Sequence, residues 1–445
     1  MLELKRDIYE KLIEWKKQDS GKVLELNGAR QVGKTFILDK FARENYKRYF
    51  YINMMQTSGK EFVECYYAAT SWKPGEKRIE RPLQKTFELF DETFVDDKNT
   101  IVVIDEIQES AEVYSMIRQF ARDFSCHFVV TGSYLGKTLS KEYFLPAGDI
   151  DTMVLDTLSY EEFLGTVGLR NVYDNLDLYG QGKQEEYEEL KKWYDIYIQI
   201  GGYPAVVKCY LETKDMEKCK EELANIIRIF VNESERYFND VLEVNLFEQL
   251  FPSIAQSMIK ESKGSSDRIS ELSKIIFKDE SDRITKKSVN QAIAWLYRSH
   301  IIGYCDRISE CNLMDVSYHS RFYFRDIGVA RHFLRIAGAD QATVEGIINE
   351  NFVYFYLERL IRERKLAGTS PAFGVYKGGE IDFFVRSVEN DKDYAIEVKS
   401  GKNIGKTAKD GKADYLLKGD THGGIVDKKK YTVPIYLMGR ITFVD

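Results

Sequence analysis

The sequence predicts a multidomain α/β protein, and three observations carry that prediction. An apolar run, "KVLEL", leads into the glycine-rich octapeptide GARQVGKT (28–35), and "FILDKFAREN" follows with helical periodicity. A second apolar run, "TIVVIDEIQES" (100–110), ends in two acids, the form of a buried parallel strand that meets a ligand at its carboxyl end. Far downstream, "AIEVKSGK" (395–402) sets Glu397 and Lys399 one residue apart in a strand-like run. Both then point from one face, while Tyr394, Ile396 and Val398 share the other. With 445 residues, the chain is longer than one hydrophobic core organises (roughly 250–300 residues), so two to four domains are expected.

Composition narrows the classes. The 44% hydrophobic and 30% charged content is that of a soluble globular protein. No apolar run approaches the roughly 18 residues of a membrane span. The opening "MLELKRDIYEKLIEWKKQ" has helical spacing and no apolar signal-peptide core, so a cytoplasmic chain with no membrane partner is expected. Six scattered cysteines without a CxxC pair fit reduced structural thiols rather than a disulfide framework or zinc site. The net charge of −7 argues against a protein coated for nucleic acid, while leaving room for a local basic surface.

The first element is a P-loop nucleotide core with a parallel sheet, expected over 1–158. GARQVGKT fills every fixed position of GxxxxGK[ST] between a strand and a helix. Gly28 and Gly33 let the backbone turn tightly. The N–H groups of Gly28, Ala29, Arg30, Gln31, Val32 and Gly33, with the helix N-terminus behind them, face a phosphate. Lys34 neutralises the β and γ phosphates of the nucleotide, and Thr35 ligates Mg²⁺. Asp105 holds the same ion through water, and Glu106 orients and deprotonates the attacking water. A third strand, "CHFVVTGSY", ends in Thr131 and Ser133, where a γ-phosphate sensor or a simple strand-to-loop turn would sit.

Together GARQVGKT, IVVIDEIQ and VVTGSY, followed by "LDTLSYEEFL" and "GGYPAVV", resemble a prokaryotic family of AAA-type P-loop ATPases with a C-terminal domain of unknown function. The resemblance spans nearly the whole chain. It implies ATP rather than a guanine nucleotide and a catalytic Glu on the Asp-bearing strand, carried onto Glu106.

A helical lid is expected over 159–260. "EEYEELKKWYDIYIQI" and "CKEELANIIRIFVNESERYF" carry apolar residues three and four apart, and Gly201, Gly202 and Pro204 separate them. Arg228 and Arg236 are either solvated helix residues or arginine fingers. A winged helix is expected over 261–332, from "ISELSKIIF", a helix capped by Thr285 in "TKKSVNQAIAWLYRS", and strands in "IIGYCDRI" and "RFYFRD". Lys286, Lys287, Asn290 and Gln291 suit phosphates and base edges, for a fold that serves DNA binding or protein contacts.

The last element, 333–445, resembles the restriction-endonuclease-like α/β fold. Asp382 in "KGGEIDFFVRS", Glu397 fifteen residues on and Lys399 form D-x(n)-ExK, and Glu350 lies in the apolar stripe of the preceding helix "GIINENFVYFYLERLI". Glu350, Asp382 and Glu397 supply hard oxygens for Mg²⁺ or Mn²⁺, and Lys399 holds the attacking water. Residues 399–430 hold nine lysines (399, 402, 406, 409, 412, 418, 428, 429 and 430) against four aspartates, a basic stretch that either tracks a phosphate backbone or is a solvated loop. Two functions follow. One is an ATPase whose C-terminal domain cuts DNA or RNA. The other is an ATP-driven switch in which that domain is a scaffold for a protein partner or self-association.

Overall fold

The computed structural model describes residues 3–71, 78–133, 148–238, 246–259, 286–308, 316–376, 379–400, 413–419, 424–427 and 430–444. The chain forms two compact units, one of residues 6–156 and one of residues 1–5 with 157–445.

The first unit is built on five strands: β1 (Val23–Asn27), β2 (Arg48–Asn53), β3 (Thr100–Asp105), β4 (His127–Thr131) and β5 (Ile150–Val154). All pairings are parallel, in the order β2-β3-β4-β1-β5. Every residue of β3 and β4 is buried, as the unbroken apolar runs require of strands covered on both faces. A phenylalanine-rich cluster fills one side; Phe120 and Phe128 stack at 4.7 Å, and Phe87 packs tilted against Phe128 at 5.6 Å. Because β4 lies between β1 and β3, the loop after β1 and the acids ending β3 flank the end of β4. This is the arrangement in which open α/β sheets bind ligands at their carboxyl edge.

The second unit contains a mixed sheet of β6 (Ile302–Ile308), β7 (Val316–Phe324), β8 (Ala372–Tyr376), β9 (Gly379–Arg386), β10 (Asp393–Lys399), β11 (Tyr415–Lys418), β12 (Gly424–Asp427) and β13 (Lys430–Pro434). Their order is β12-β13-β11-β10-β9-β8-β6-β7. The helical stretches anticipated from periodicity are helices Gln184–Ile200 and Met216–Phe238; Gly201, at φ 76°, ends the first, and Pro204 opens helix Pro204–Thr213 between them. Helix Tyr160–Thr166 starts with a capping box, Ser159 and Glu162 each bonding the other's backbone N–H. Its Glu161 is buried in an ion pair with Arg359 at 2.6 Å and accepts the Tyr356 hydroxyl. The helix core is rich in tyrosine: Tyr160 and Tyr194 pack edge-on at 5.7 Å, and Phe352 joins both.

The hairpin expected as the wing of a separate domain is β6–β7. It pairs through Asp306↔Ala372 with β8 and so extends the sheet that carries Asp382 and Glu397. Helix Lys286–Arg298 precedes it, with Lys287, Asn290 and Gln291 exposed. The first expected helix, "ISELSKIIF", and Thr285 lie outside the described residues, as do Lys402, Lys406, Lys409, Lys412, Lys428 and Lys429. Among the described residues, no helix is long and apolar enough to cross a membrane.

Candidate active site

The glycine-rich loop runs from β1 into helix Lys34–Asn45. Gly33 caps that helix at φ 98°, and Gly28 sits at φ 145°, conformations that side chains other than glycine's rarely adopt. A Cβ on Gly28 would stand 2.1 Å from the Leu155 carbonyl oxygen, backbone that cannot step aside. Gly28→Ala is therefore expected to displace the loop, costing ~2 kcal/mol of stability or more, and to weaken nucleotide binding. Thermal melts and ATP titration of that variant check it; an unchanged melting temperature would contradict the geometry. The loop is also fixed from the N-terminal side, where Arg6 donates to the carbonyls of Val32 at 2.9 Å and Asp156 at 2.6 Å.

Lys34 is buried, and its ammonium donates to the carbonyls of Gly28 and Ala29, both at 2.8 Å, and reaches Ser133 Oγ at 3.4 Å. Burial pulls this lysine down to about 8 from its usual 10.5, with the charges of Glu106 and Asp105 opposing. Thr35 Oγ1 donates to Asp105 Oδ2 at 2.9 Å, so the two expected cation-holding groups already face each other. Glu106 has φ 52°, a left-handed conformation that costs strain and is often met at functional positions; its N–H donates to Asp105 Oδ1 at 2.8 Å.

Of the two candidate sensors, Ser133 lies beside Lys34, whereas Thr131 spends its hydroxyl on the Leu26 carbonyl at 2.7 Å inside the sheet. Arg228 donates to Asn225 of its own helix at 3.3 Å, and Arg236 is exposed. Two residues were not anticipated. Tyr51 donates to Asp105 Oδ2 at 2.7 Å, and Gln108 donates to Glu106 Oε2 at 2.6 Å. Gln108 was readable as the last letter of IVVIDEIQ, two positions beyond Glu106. Tyr51 was not, because only the β2–β3 register, Tyr51↔Val103 and Asn53↔Asp105, brings it there.

In the second unit, β9 and β10 pair antiparallel as far as Ile396↔Phe383, and one step further Asp382 and Glu397 stand opposite each other. There the Asp382 side chain takes over a backbone role, accepting the Val398 N–H at 2.7 Å. On its other edge β10 runs parallel to β11. Lys399 Nζ lies 2.6 Å from Glu397 Oε1 and 3.7 Å from Asp382 Oδ2. The sequence pattern sets Glu397 with Lys399 on the face opposite Tyr394, Ile396 and Val398; the structure buries both faces of β10, and Glu397 is 4% exposed. Its Oε2 is buried and, among the described residues, has no hydrogen-bond partner. Glu350 is half-buried on helix Gln341–Arg362, and its charge helps to raise Lys399, against the opposing effect of burial and together with Asp382 and Glu397. Arg321 on β7 was missed by the sequence reading. It pairs with Glu380 at 2.5 Å, and although burial pulls it down, the fields of Tyr323, Glu350, Glu380 and Asp382 hold it above its usual value. Among the described residues, no group of three or more His, Cys, Asp or Glu is arranged so that it could hold a metal ion.

Burial, reinforced by Asp382 and opposed by Lys399, pushes the Glu397 carboxyl up to about 7 from 4.5. The folded chain thus binds this proton more tightly than the unfolded one. The resulting stabilisation is fully present below about pH 4.5 and is lost as pH rises through 7. Glu397→Gln, which keeps a neutral group throughout, is expected to flatten the fall in melting temperature between pH 5 and 8; an identical pH profile in wild type and variant would refute it.

Residues 20–164 match a family model described as an AAA domain, and residues 191–340 match one described as a domain of unknown function (DUF8612). Asp382, Glu397 and Lys399 lie beyond both ranges. No curated protein matches the chain. Among solved structures, the chain is similar to the Walker-type ATPase PABY2304 of Pyrococcus abyssi (15% identity, 75% of this chain and 96% of that one, TM-score 0.47). It is also similar to the Aeropyrum pernix ORC2 protein in its ADPNP–ADP complexes (12%, 78% and 94%, TM-score 0.35) and to the ORC1 protein of the same organism in complex with DNA (12%, 77% and 91%, TM-score 0.29). The family match and the loop geometry agree that residues 20–164 form a P-loop domain of the AAA ATPase type. Such a domain takes ATP with a divalent cation such as Mg²⁺, and the Thr35 hydroxyl and Asp105 carboxylate are hard oxygen donors that fit that ion.

Proposed function

We propose that this chain binds and hydrolyses ATP at the Lys34 loop and that its second unit carries a phosphodiester-cleaving centre regulated by that turnover. One observation carries the ATPase: Lys34, Thr35, Asp105 and Ser133, from three different strand ends, meet through hydrogen bonds at one sheet edge. In this reading Gly28 to Gly33 cradle the phosphates, Lys34 neutralises them, Thr35 and Asp105 hold Mg²⁺, and Glu106 takes the proton of the attacking water while Gln108 fixes its carboxylate.

The cleavage centre is supported by Asp382, Glu397 and Lys399 gathering on adjacent strands. Glu397 Oε2, buried and unbonded, has the donor chemistry of a metal ligand position. Mg²⁺ or Mn²⁺ held by Asp382 and Glu397, without the third carboxylate expected from Glu350, would polarise a scissile phosphate. Lys399 would orient water and offset developing negative charge. The exposed Lys287, Asn290 and Gln291 of a winged-helix-like segment offer groups suited to holding DNA or RNA. The close Lys399–Glu397 pair at 2.6 Å favours a second reading, in which lysine takes the cation's place for good and the unit is an ATP-switched scaffold for a protein partner or a second copy of the chain. Incubating the purified protein with single- and double-stranded DNA and RNA, with Mg²⁺ or Mn²⁺ and with or without ATP, separates them. Divalent-dependent products support the nuclease, and none under any condition leaves the scaffold.

A further inference from the structure

The second unit also holds a polar cavity of about 350 Å³ that neither candidate centre uses. It opens where β10 and β11 end, at Ser400 and Gly419, and is walled by helices Gln184–Ile200, Ile327–Ile336 and Gln341–Arg362. Gly419 N–H donates to the Lys399 carbonyl at 2.9 Å, fixing the two strand ends together. The carboxyl ends of adjacent parallel strands are where α/β sheets place their ligands.

Two arginines stand over it. Arg331 and Arg335, one helical turn apart, share a helix face. Arg331 is 8% exposed, and its Nε donates to the Ile198 carbonyl at 3.0 Å. Among the described residues, no carboxylate pairs with either guanidinium. Asp195 is engaged by Lys191 at 2.5 Å, and Glu345 accepts from Gln341 at 3.0 Å. Burial, and after it the like charge of Arg335, lower the pKa of Arg331, and the fields of Glu345, Tyr194 and Asp195 only partly offset them. Asn349, 5% exposed, also lines the cavity and accepts the Tyr194 hydroxyl at 2.7 Å. Arg331 is thus a buried cation with an exposed one a turn away and, among the described residues, no carboxylate in contact, an arrangement that a bound anion would stabilise.

We propose that this cavity binds a small phosphate-bearing ligand, its phosphate held by Arg331 and Arg335. Two guanidinium forks a turn apart present more donors than a planar carboxylate accepts, whereas a tetrahedral phosphate has oxygens for both. The volume lies at the low end of small-molecule pockets, roughly 300–1,000 Å³, and leaves room beyond the phosphate itself. The site is independent of either activity proposed above.

The test is calorimetric titration of the Lys34→Ala chain, which removes the phosphate loop as a competing site. Inorganic phosphate and 5′-AMP are the probes, with adenosine and ionic-strength-matched chloride as controls. Phosphate or AMP should bind, and the affinity should fall about tenfold or more in Arg335→Gln and in Arg331→Lys, the loss of one charged hydrogen-bonded contact. AMP tighter than phosphate would identify a nucleotide-like ligand; equal affinities would identify phosphate itself. Arg335 is exposed, so its variant folds even where Arg331→Lys does not. Binding no stronger than chloride's, or unchanged in Arg335→Gln, would overturn the site.

Discussion

Lys34→Ala is expected to remove most ATP binding, while Glu106→Gln keeps binding and stops turnover. Lys34 is the buried cation of the loop, already within 2.8 Å of two loop carbonyls and beside Ser133. Each charge-assisted hydrogen bond it makes to phosphate is worth about 1.5–3 kcal/mol, so losing several weakens ATP by a factor of about 100 or more. Glu106→Gln differs in kind. The amide keeps the size of the side chain and its place beside Gln108, so the loop and the Thr35–Asp105 pair are untouched. What disappears is the group that takes the proton of the attacking water, a loss of roughly 10²–10⁴-fold in rate. Equilibrium titration with a fluorescent ATP analogue and a phosphate-release assay measure the two effects separately. Turnover near the wild-type rate in Glu106→Gln would remove that residue from the mechanism.

The second large effect is expected in the other unit: Asp382→Asn and Lys399→Ala each abolish phosphodiester cleavage and leave ATP hydrolysis in place. Asparagine is the better probe at 382 because the Asp382 side chain also accepts the Val398 N–H at 2.7 Å. Alanine there would orphan a buried donor, costing about 1–3 kcal/mol, and would confuse lost chemistry with lost structure. Lys399→Ala strips Glu397 of the cation 2.6 Å away, so its carboxyl, already up to about 7, is expected to rise further and be protonated at neutral pH. Gel assays of cleavage run beside phosphate release from the same samples decide the matter. The nuclease reading fails if the wild type cuts nothing, or if Lys399→Ala cuts as the wild type does.

Much of this molecule was legible because the determinants are local. The phosphate loop is eight contiguous residues between a strand and a helix, and the acids of β3 end an unbroken apolar run; register and capping act over a few positions and survive any change of fold around them. The same holds for Asp382, Glu397 and Lys399, because one antiparallel turn is enough to set them side by side.

What the tertiary structure alone decided are relations between distant segments. The β6–β7 hairpin reads locally like a wing, yet it joins the sheet of β8 to β13, because an unpaired strand edge gains hydrogen bonds wherever a matching edge is presented. Thr131 and Ser133 are indistinguishable as strand-end hydroxyls, and only the path of β1 gives Thr131 the Leu26 carbonyl as partner. Tyr51 over Asp105, Arg321 among Glu350, Glu380 and Asp382, and the Arg331–Arg335 pair above the ends of β10 and β11 are each set by packing of elements far apart in the chain. Periodicity assigns a side chain to a face; the charge it meets there is fixed only when another element closes over that face and excludes water.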